Sequence, residues 1–404
     1  MNRSNKFVAA VHLMVATLLL AIGVRTWVVI GLVAPVTISG SSMVPALRGE
    51  YVTPECPRCE KTFDVGGEFA QQSAFVACPR CGEPLVPLAA LPFRASDRLW
   101  IDRGVFNRRM PRRWEVVVSV CPHDAEQLCT KRVVGLPGES VQLVQGDVVV
   151  DGQVLRKSLT EQLLMRQLVH AADGVRLRWE PTKDEGWQWQ DGRWQCGASD
   201  GAEHWLRYKH LQGQPVTDDS SYNAGVSRRL NRVHDLMVSG QLRMAVDGVL
   251  VVEISNGNQT PRVAVHLAEK IVQLEVGGKL LESVRLSDEV CQRLLARDEV
   301  ELVCSNFDRQ VILALDGEVA LESPLFEGNS PEGGSGVAMA GAGVSLEGLS
   351  LYRDVYYEAR AEEVVQLGVG QFYLLGDNAA ISIDSRRWGP VPGRLLIGRP
   401  LGVR

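Results

Sequence analysis

Two groups of residues in this chain carry chemistry by their type and spacing. The first is cysteine. Cys56 and Cys59 form one Cys-x-x-Cys pair, and Cys78 and Cys81 form a second. Two such knuckles a short hairpin apart suit tetrahedral ligation of one structural Zn²⁺ by four thiolates, with no coordination position left open for catalysis. Two disulfides are the competing reading for an exported segment. With Cys121, Cys129, Cys196, Cys291 and Cys304 the total is nine, and an odd number leaves at least one thiol unpaired or metal-bound. The second group lies in four short segments. They are Ile38 to Leu47 with the run Gly40-Ser41-Ser42-Met43-Val44-Pro45, Asp97 to Asp102, Trp114 to Glu139 with Lys131-Arg132-Val133-Val134-Gly135-Leu136-Pro137-Gly138, and Leu375 to Pro390 with Gly376-Asp377-Asn378 and Ser382-Ile383-Asp384-Ser385-Arg386. Singly, each is ordinary: a serine in a turn, a solvated lysine, a surface ion pair. None of the seven histidines lies in a Gly-x-Ser-x-Gly or His-type triad context, so a Ser/Lys dyad is the natural alternative route to an activated nucleophile.

The elements that must position these groups are mostly strands. Short alternating runs recur between about 157 and 360: Leu242, Met244 and Val246 on one face, Val311, Leu313 and Leu315 on another, with Val249 to Ile254, Val263 to Leu267 and Ile271 to Val276. Asp247-Gly248, Asn256-Gly257-Asn258, Gly277-Gly278 and Asp316-Gly317 read as the turns between them, and Glu327 to Gly336 reads as a long loop. This spacing predicts an antiparallel sandwich with a weak, pattern-level likeness to a lectin-like jelly roll. Trp179, Trp187, Trp189, Trp194 and Trp205 fall in it. They serve as core and hairpin packing, or as exposed rings for sugars or a lipid interface.

At the N-terminus, Arg3 and Lys6 precede an apolar run from Phe7 to Val24 and then Arg25-Thr26-Trp27. The run is at the short end of a bilayer span, and the basic start predicts a cytoplasmic N-terminus with everything after residue 33 outside. A cleaved secretory signal is the alternative. The run is long for one, and no small-x-small cleavage site follows. A net charge of −5 argues against a nucleic-acid partner.

Taken in order, Ser-Met-x-Pro beside a membrane segment, Lys-Arg-Val-Val-Gly-Leu-Pro-Gly, then Gly-Asp-Asn with Ser-x-Asp-Ser-Arg-x-Trp-Gly resemble the type I signal peptidases, a family of Ser/Lys serine proteases. The resemblance covers about 1–53, 92–158 and 362–404. It implies Ser42 as nucleophile and Lys131 as general base. It gives Ser382 as the hydroxyl that bonds and orients the lysine amine, and Asp384 and Arg386 as a bracing ion pair. Gly376 and Asp377, with Asn378, shape the loop that carries Ser382, and Met43 packs near the substrate pocket. It implies no cofactor for catalysis, signal peptides of preproteins cut after small residues as substrates, and the lipid bilayer as partner. A lysine is protonated at neutral pH, so the role requires desolvation, which the apolar neighbours Val133, Val134 and Leu136 favour.

The chain also departs from the family pattern. Gly40 stands where some relatives carry an oxyanion-stabilising hydroxyl, which leaves the Ser42 backbone N–H as donor. Ala46, Ser96 and Ala379-Ala380-Ile381 replace residues more usual in the family. Cys121 and Cys129 flank the approach to Lys131, as a disulfide or as two thiols.

The expected protein is mainly β. It has an N-terminal cytoplasmic segment and transmembrane helix at 1–33, a signal-peptidase-like β catalytic domain at 34–53, 92–158 and 361–404, an inserted four-Cys zinc ribbon at 54–91, and an inserted jelly-roll-like β-sandwich at 159–360. The expected function is endoproteolysis of leader peptides from exported preproteins. The expected location is single-pass in the bacterial cytoplasmic (inner) membrane, with the catalytic domain on the periplasmic side. The rival readings are another Ser/Lys hydrolase, such as the self-cleaving repressors, and an anchored module whose sandwich binds a glycan or protein and whose protease domain has lapsed.

Overall fold

The computed structural model describes residues 3–25, 32–171, 178–182, 186–197, 203–224, 226–296, 298–325, 335–358 and 363–402. The protein is mainly β and divides into two compact units, Met1–Tyr51 with Phe93–Val141 and Glu363–Arg404, and Val52–Pro92 with Gln142–Glu362.

The first unit is built on an antiparallel seven-stranded sheet in the order Val33–Thr37, Arg98–Asp102, Leu396–Pro400, Val116–Cys121, Asp124–Gly135, Gln371–Leu375 and Val391–Pro392. The strand Asp124–Gly135 starts exposed and ends fully buried, so a side chain midway along it passes from solvent into the interior. Val117, Val133, Phe372, Leu374 and Val391 make one core cluster beneath it, and Ile38, Met43, Leu47 and Val116 make another. Cys121 and Cys129 are joined by a disulfide across the hairpin of Val116–Cys121 and Asp124–Gly135.

The chain enters this unit through a helix, Arg3–Gly23. Its apolar residues Leu13, Met14, Leu18, Leu19 and Leu20 are exposed. By length and apolarity, no helix among the described residues is sufficient to cross a membrane. Residues 1–2 and 26–31 of the expected anchor, Trp27 among them, lie outside the described residues.

In the second unit two long strands, Leu236–Asn256 and Ser335–Arg353, pair antiparallel along most of their lengths. The first half of Leu236–Asn256 pairs with Val300–Phe307, which continues into Gln310–Leu315 and Glu318–Pro324. Its second half pairs with Pro261–His266, followed by Ile271–Val276 and Lys279–Arg285. Leu242, Val265, Leu274, Leu302 and Leu313 belong to one buried cluster, so both halves share a core. Gly277-Gly278 and Asp316-Gly317 make two-residue hairpin turns with positive φ.

Asp247-Gly248 does not separate two strands, because Leu236–Asn256 is continuous through it. Its register against Ser335–Arg353 shifts between Met244 and Val249. That shift turns Val246 out to 56 % exposure while Leu242 and Met244 stay buried, which corrects the expected shared face. Most of the expected Glu327 to Gly336 loop lies outside the described residues. Trp179, Trp187 and Trp194 are core residues, and Trp189 packs edge-on to Trp194. Trp205 stays half-buried, with Arg207 and Arg262 over its ring.

Residues 142–158 group with this second unit. Lys157 bridges Asp308 and Asp354 there, which ties the segment to the sandwich. The ribbon Val52–Pro92 joins the same unit, where Ser221 Oγ donates to the Asp64 carbonyl and Gly66 lies against Tyr222, a place where any Cβ would meet Tyr222 atoms.

Candidate active site

Ser42 lies in a turn that follows Val33–Thr37, and Met43 anchors that turn. Met43 is 1 % exposed and packs with Ile38, Leu47 and Val116, so it serves the core and not a pocket wall. Asn378 holds the serine backbone from the other side: its N–H donates to the Ser42 carbonyl at 3.0 Å, and its Nδ2 donates to the Ser41 carbonyl at 3.0 Å.

Lys131 arrives from the strand Asp124–Gly135 at the point where exposure gives way to burial. It is 3 % exposed. Its Nζ donates to Ser42 Oγ at 2.8 Å and to the Thr130 carbonyl at 2.9 Å, with the Trp388 ring 5.8 Å away. Burial pulls its pKa from 10.5 down to about 8, against the pull of Asp384 and Asp377, with Arg386 assisting. A buried amine near neutrality, in hydrogen-bond reach of a serine hydroxyl, is the arrangement that activates a nucleophile without histidine.

The segment carrying Gly376-Asp377-Asn378 and Ser382 is braced on both sides. Asp377 forms a forked ion pair with Arg132, Nε to Oδ1 at 2.8 Å and Nη2 to Oδ2 at 2.6 Å. Both side chains are 1 % exposed, and Arg132 Nη1 also donates to the Trp114 carbonyl. Asp384 pairs with Arg386, Nε to Oδ1 at 2.9 Å and Nη2 to Oδ2 at 2.8 Å, and accepts the Gly376 N–H. It also caps the short helix Ser385–Trp388 by accepting the Arg386 N–H. Arg386 donates further to the Ala379 carbonyl. Gly376 must be glycine, since a Cβ would sit 2.2 Å from Ser382 Oγ and 2.5 Å from the Ser42 carbonyl oxygen.

One expectation changes. Ser382 Oγ is buried without a hydrogen-bond partner, so the expected bond to the Lys131 amine is not formed in this state. Lys131 directs its bonds to Ser42 and Thr130 instead. Arg132, beside Lys131, is the partner that fixes Asp377, a role that its motif does not announce. The sequence signal is an arginine opening the apolar run Val133-Val134-Gly135, where a charge that becomes buried needs a partner. Gly40 is exposed, with open space where a Cβ would stand.

In the second unit, the sulfurs of Cys56, Cys59, Cys78 and Cys81 all lie within 4.8 Å of one another. Cys56 and Cys81 are 3.5 Å apart, and Cys59 and Cys78 are 3.7 Å apart. Those spacings are far longer than a disulfide, whose sulfurs are about 2.0 Å apart. They approach the sulfur–sulfur edge of a tetrahedron with metal–sulfur bonds of about 2.3 Å. The two knuckles repeat one backbone pattern. Glu60 N–H donates to Cys56 O and Gly82 N–H to Cys78 O, while Cys56 and Cys78 donate to Lys61 O and Glu83 O. The donor set fits a structural zinc ion.

The model of a family described as signal peptidase, peptidase S26, matches residues 9–176 and 346–401. A comparison with curated proteins found no match. Several solved structures resemble part of the chain. Carbohydrate-binding module CBM66 from Bacillus subtilis is 7 % identical and covers 44 % of this chain and 92 % of its own, at a TM-score of 0.26. Galectin LEC-6 from Caenorhabditis elegans is 11 % identical and covers 30 % and 83 %, at 0.24. The metal-free Emp46p carbohydrate recognition domain is 10 % identical and covers 43 % and 88 %, at 0.29. Scores this low fix neither a shared fold nor a ligand.

Proposed function

Since the chain belongs to the signal peptidase family, peptidase S26, we propose that it is a membrane-anchored serine endopeptidase that removes signal peptides from exported preproteins with a Ser42/Lys131 dyad. The observation that carries this reading is the 2.8 Å contact between Nζ and Oγ, made by a lysine that burial brings to a pKa of about 8. In the deprotonated state Lys131 takes the Ser42 proton as Oγ attacks the scissile carbonyl. The resulting ammonium returns that proton to the leaving amine. Water, activated by the same amine, then releases the acyl-enzyme. Gly376 keeps the space beside Ser42 open, and the pairs Arg132–Asp377 and Asp384–Arg386 hold the surrounding loop. Ser382 Oγ, buried without a partner, is the hydroxyl that would take up the amine as the lysine changes protonation.

Anchoring rests on the exposed apolar face of Arg3–Gly23 and its basic start. It would keep the site at the outer face of the bacterial cytoplasmic membrane, where a cleavage site emerges. The four-Cys cluster is read as a zinc ribbon on its sulfur spacing.

A second reading concerns the sandwich. Its strands carry a groove of about 510 Å³ lined by Asp247, Val251, Arg262, Ala264, Gln273 and Ala340, a mixed polar and apolar lining suited to a glycan or an extended peptide. Binding of the full-length chain to a glycan array would support it, and an empty array would leave the groove without that role.

The test of the main reading is cleavage of several preproteins in detergent by wild type, Ser42→Ala and Lys131→Ala. Cleavage after a small residue, abolished by both substitutions, is expected. A folded wild type that cuts nothing across a range of pH overturns the reading.

A further inference from the structure

A buried cluster of charge lies in the second unit, and the proteolytic reading has no use for it. Asp147 comes from the strand Asp147–Val150, Asp235 stands just ahead of Leu236–Asn256, and Asp308 lies in the turn between Val300–Phe307 and Gln310–Leu315. One oxygen of each lies within 4.8 Å of the others. Lys157 Nζ bonds Asp308 Oδ1 at 2.7 Å and Asp354 Oδ2 at 2.8 Å, and Arg309 Nε stands 3.6 Å from Asp147 Oδ2. Four carboxylates therefore crowd together beside the cations Lys157 and Arg309. Burial without compensation is costly for such groups.

A second observation points to a missing ligand. Asp354 is 5 % exposed, and its Oδ1 is buried without any hydrogen-bond partner. Its charge acts on Asp147, Asp235 and Asp308 alike. It also lines the wall of a cleft of about 410 Å³, together with Asp147, Asp235, His234 and Tyr356.

We propose that Asp147, Asp235 and Asp308, with Asp354 beside them, bind one hard divalent cation of the calcium class. A cation at about 2.4 Å from each of three oxygens requires those oxygens to lie no more than about 4.8 Å apart, which is the spacing found. Donors that are all oxygen favour calcium or magnesium over zinc or copper. Donors contributed by three separate segments suit the irregular, higher coordination of calcium better than the strict octahedron of magnesium. The remaining bonds of Asp235, whose Oδ2 accepts the Asp308 N–H at 2.7 Å, and of Asp308, whose Oδ2 accepts the Lys157 N–H at 3.3 Å, leave lone pairs for a metal. The cleft provides an entry path and room for water ligands. The ion would tie together three segments that meet at one end of the sandwich.

Full-length protein in detergent, stripped with EGTA, is titrated with CaCl₂ by calorimetry and with Tb³⁺ by sensitised luminescence. One Ca²⁺ per chain is expected, with a rise in Tm. Asp235→Asn and the more accessible Asp147→Asn should each weaken binding at least about tenfold while near-ultraviolet circular dichroism and zinc content stay unchanged. Mg²⁺ should compete about tenfold more weakly than Ca²⁺. Folded wild type with neither heat nor a Tm shift up to about 10 mM Ca²⁺, beyond the weakest protein sites, overturns the proposal and leaves a shared proton as the balancing charge. Undiminished binding in both folded variants, or equal competition by Mg²⁺, overturns it as well.

Discussion

Lys131 is the residue on which the proposed chemistry turns, and its environment makes a signed prediction. Its pKa in the folded state, about 8, lies below its ordinary 10.5. The neutral amine therefore gains population as pH rises through 8, and kcat/KM should rise along a limb centred there. Asp384→Asn removes an attraction that favours the ammonium and leaves Arg386 as an uncompensated repulsion. Both changes lower the lysine pKa further, so the limb should move to lower pH. A limb that stays put or moves up in folded Asp384→Asn would show that Lys131 is not the titrating base. The stability linkage has a definite sign. Between about 8 and 10.5 the folded state binds fewer protons than the unfolded one. The cost of burying Lys131 is thus greatest below pH 8 and fades as pH rises toward 10.5.

At the scale of elements, the strand Asp124–Gly135 does two jobs with adjacent residues. Lys131 reaches Ser42, while Arg132 grips Asp377 in the Gly-Asp-Asn segment. Neighbours on a strand point to opposite faces, so one element presents a base on one side and a brace on the other. The Cys121–Cys129 disulfide closes the far end of this hairpin. Because both partners of the Arg132–Asp377 pair are excluded from solvent, removing one strands the other. Asp377→Ala should cost about 3–5 kcal/mol in denaturant unfolding. A loss below about 1 kcal/mol, the range of exposed pairs, would contradict the bracing role.

At the scale of the molecule, two compact units are interleaved along one chain, the first holding Ser42 and Lys131 and the second the four-Cys cluster. If the four thiols hold zinc, elemental analysis of protein purified without added metal should give about one zinc per chain. Removing the metal with a chelator should lower the unfolding temperature, because the ribbon core of Val52, Val65, Val76 and Val86 is small and a bound metal stabilises by mass action. Metal-free protein with no free thiols at Cys56, Cys59, Cys78 and Cys81 would instead indicate disulfides.

Much of this was legible in the residues. The motifs, taken in order, resemble the signal peptidases, and that resemblance implied Ser42, Lys131, Asp384 and Arg386. Cys-x-x-Cys spacing announced the ribbon because a knuckle is a local structure. Asp316-Gly317 and Gly277-Gly278 announced hairpins because positive φ is a local demand. The tertiary structure alone decided what depends on distant segments meeting. It set the 2.8 Å separation of Ser42 and Lys131 and the burial that brings the lysine toward neutrality. It turned Met43 inward, left Ser382 Oγ unpartnered, and put Val246 outside at a register shift. It also gathered Asp147, Asp235 and Asp308 at one point. Periodicity reports which face of a strand is apolar, but not which charge from elsewhere in the chain will arrive beside it.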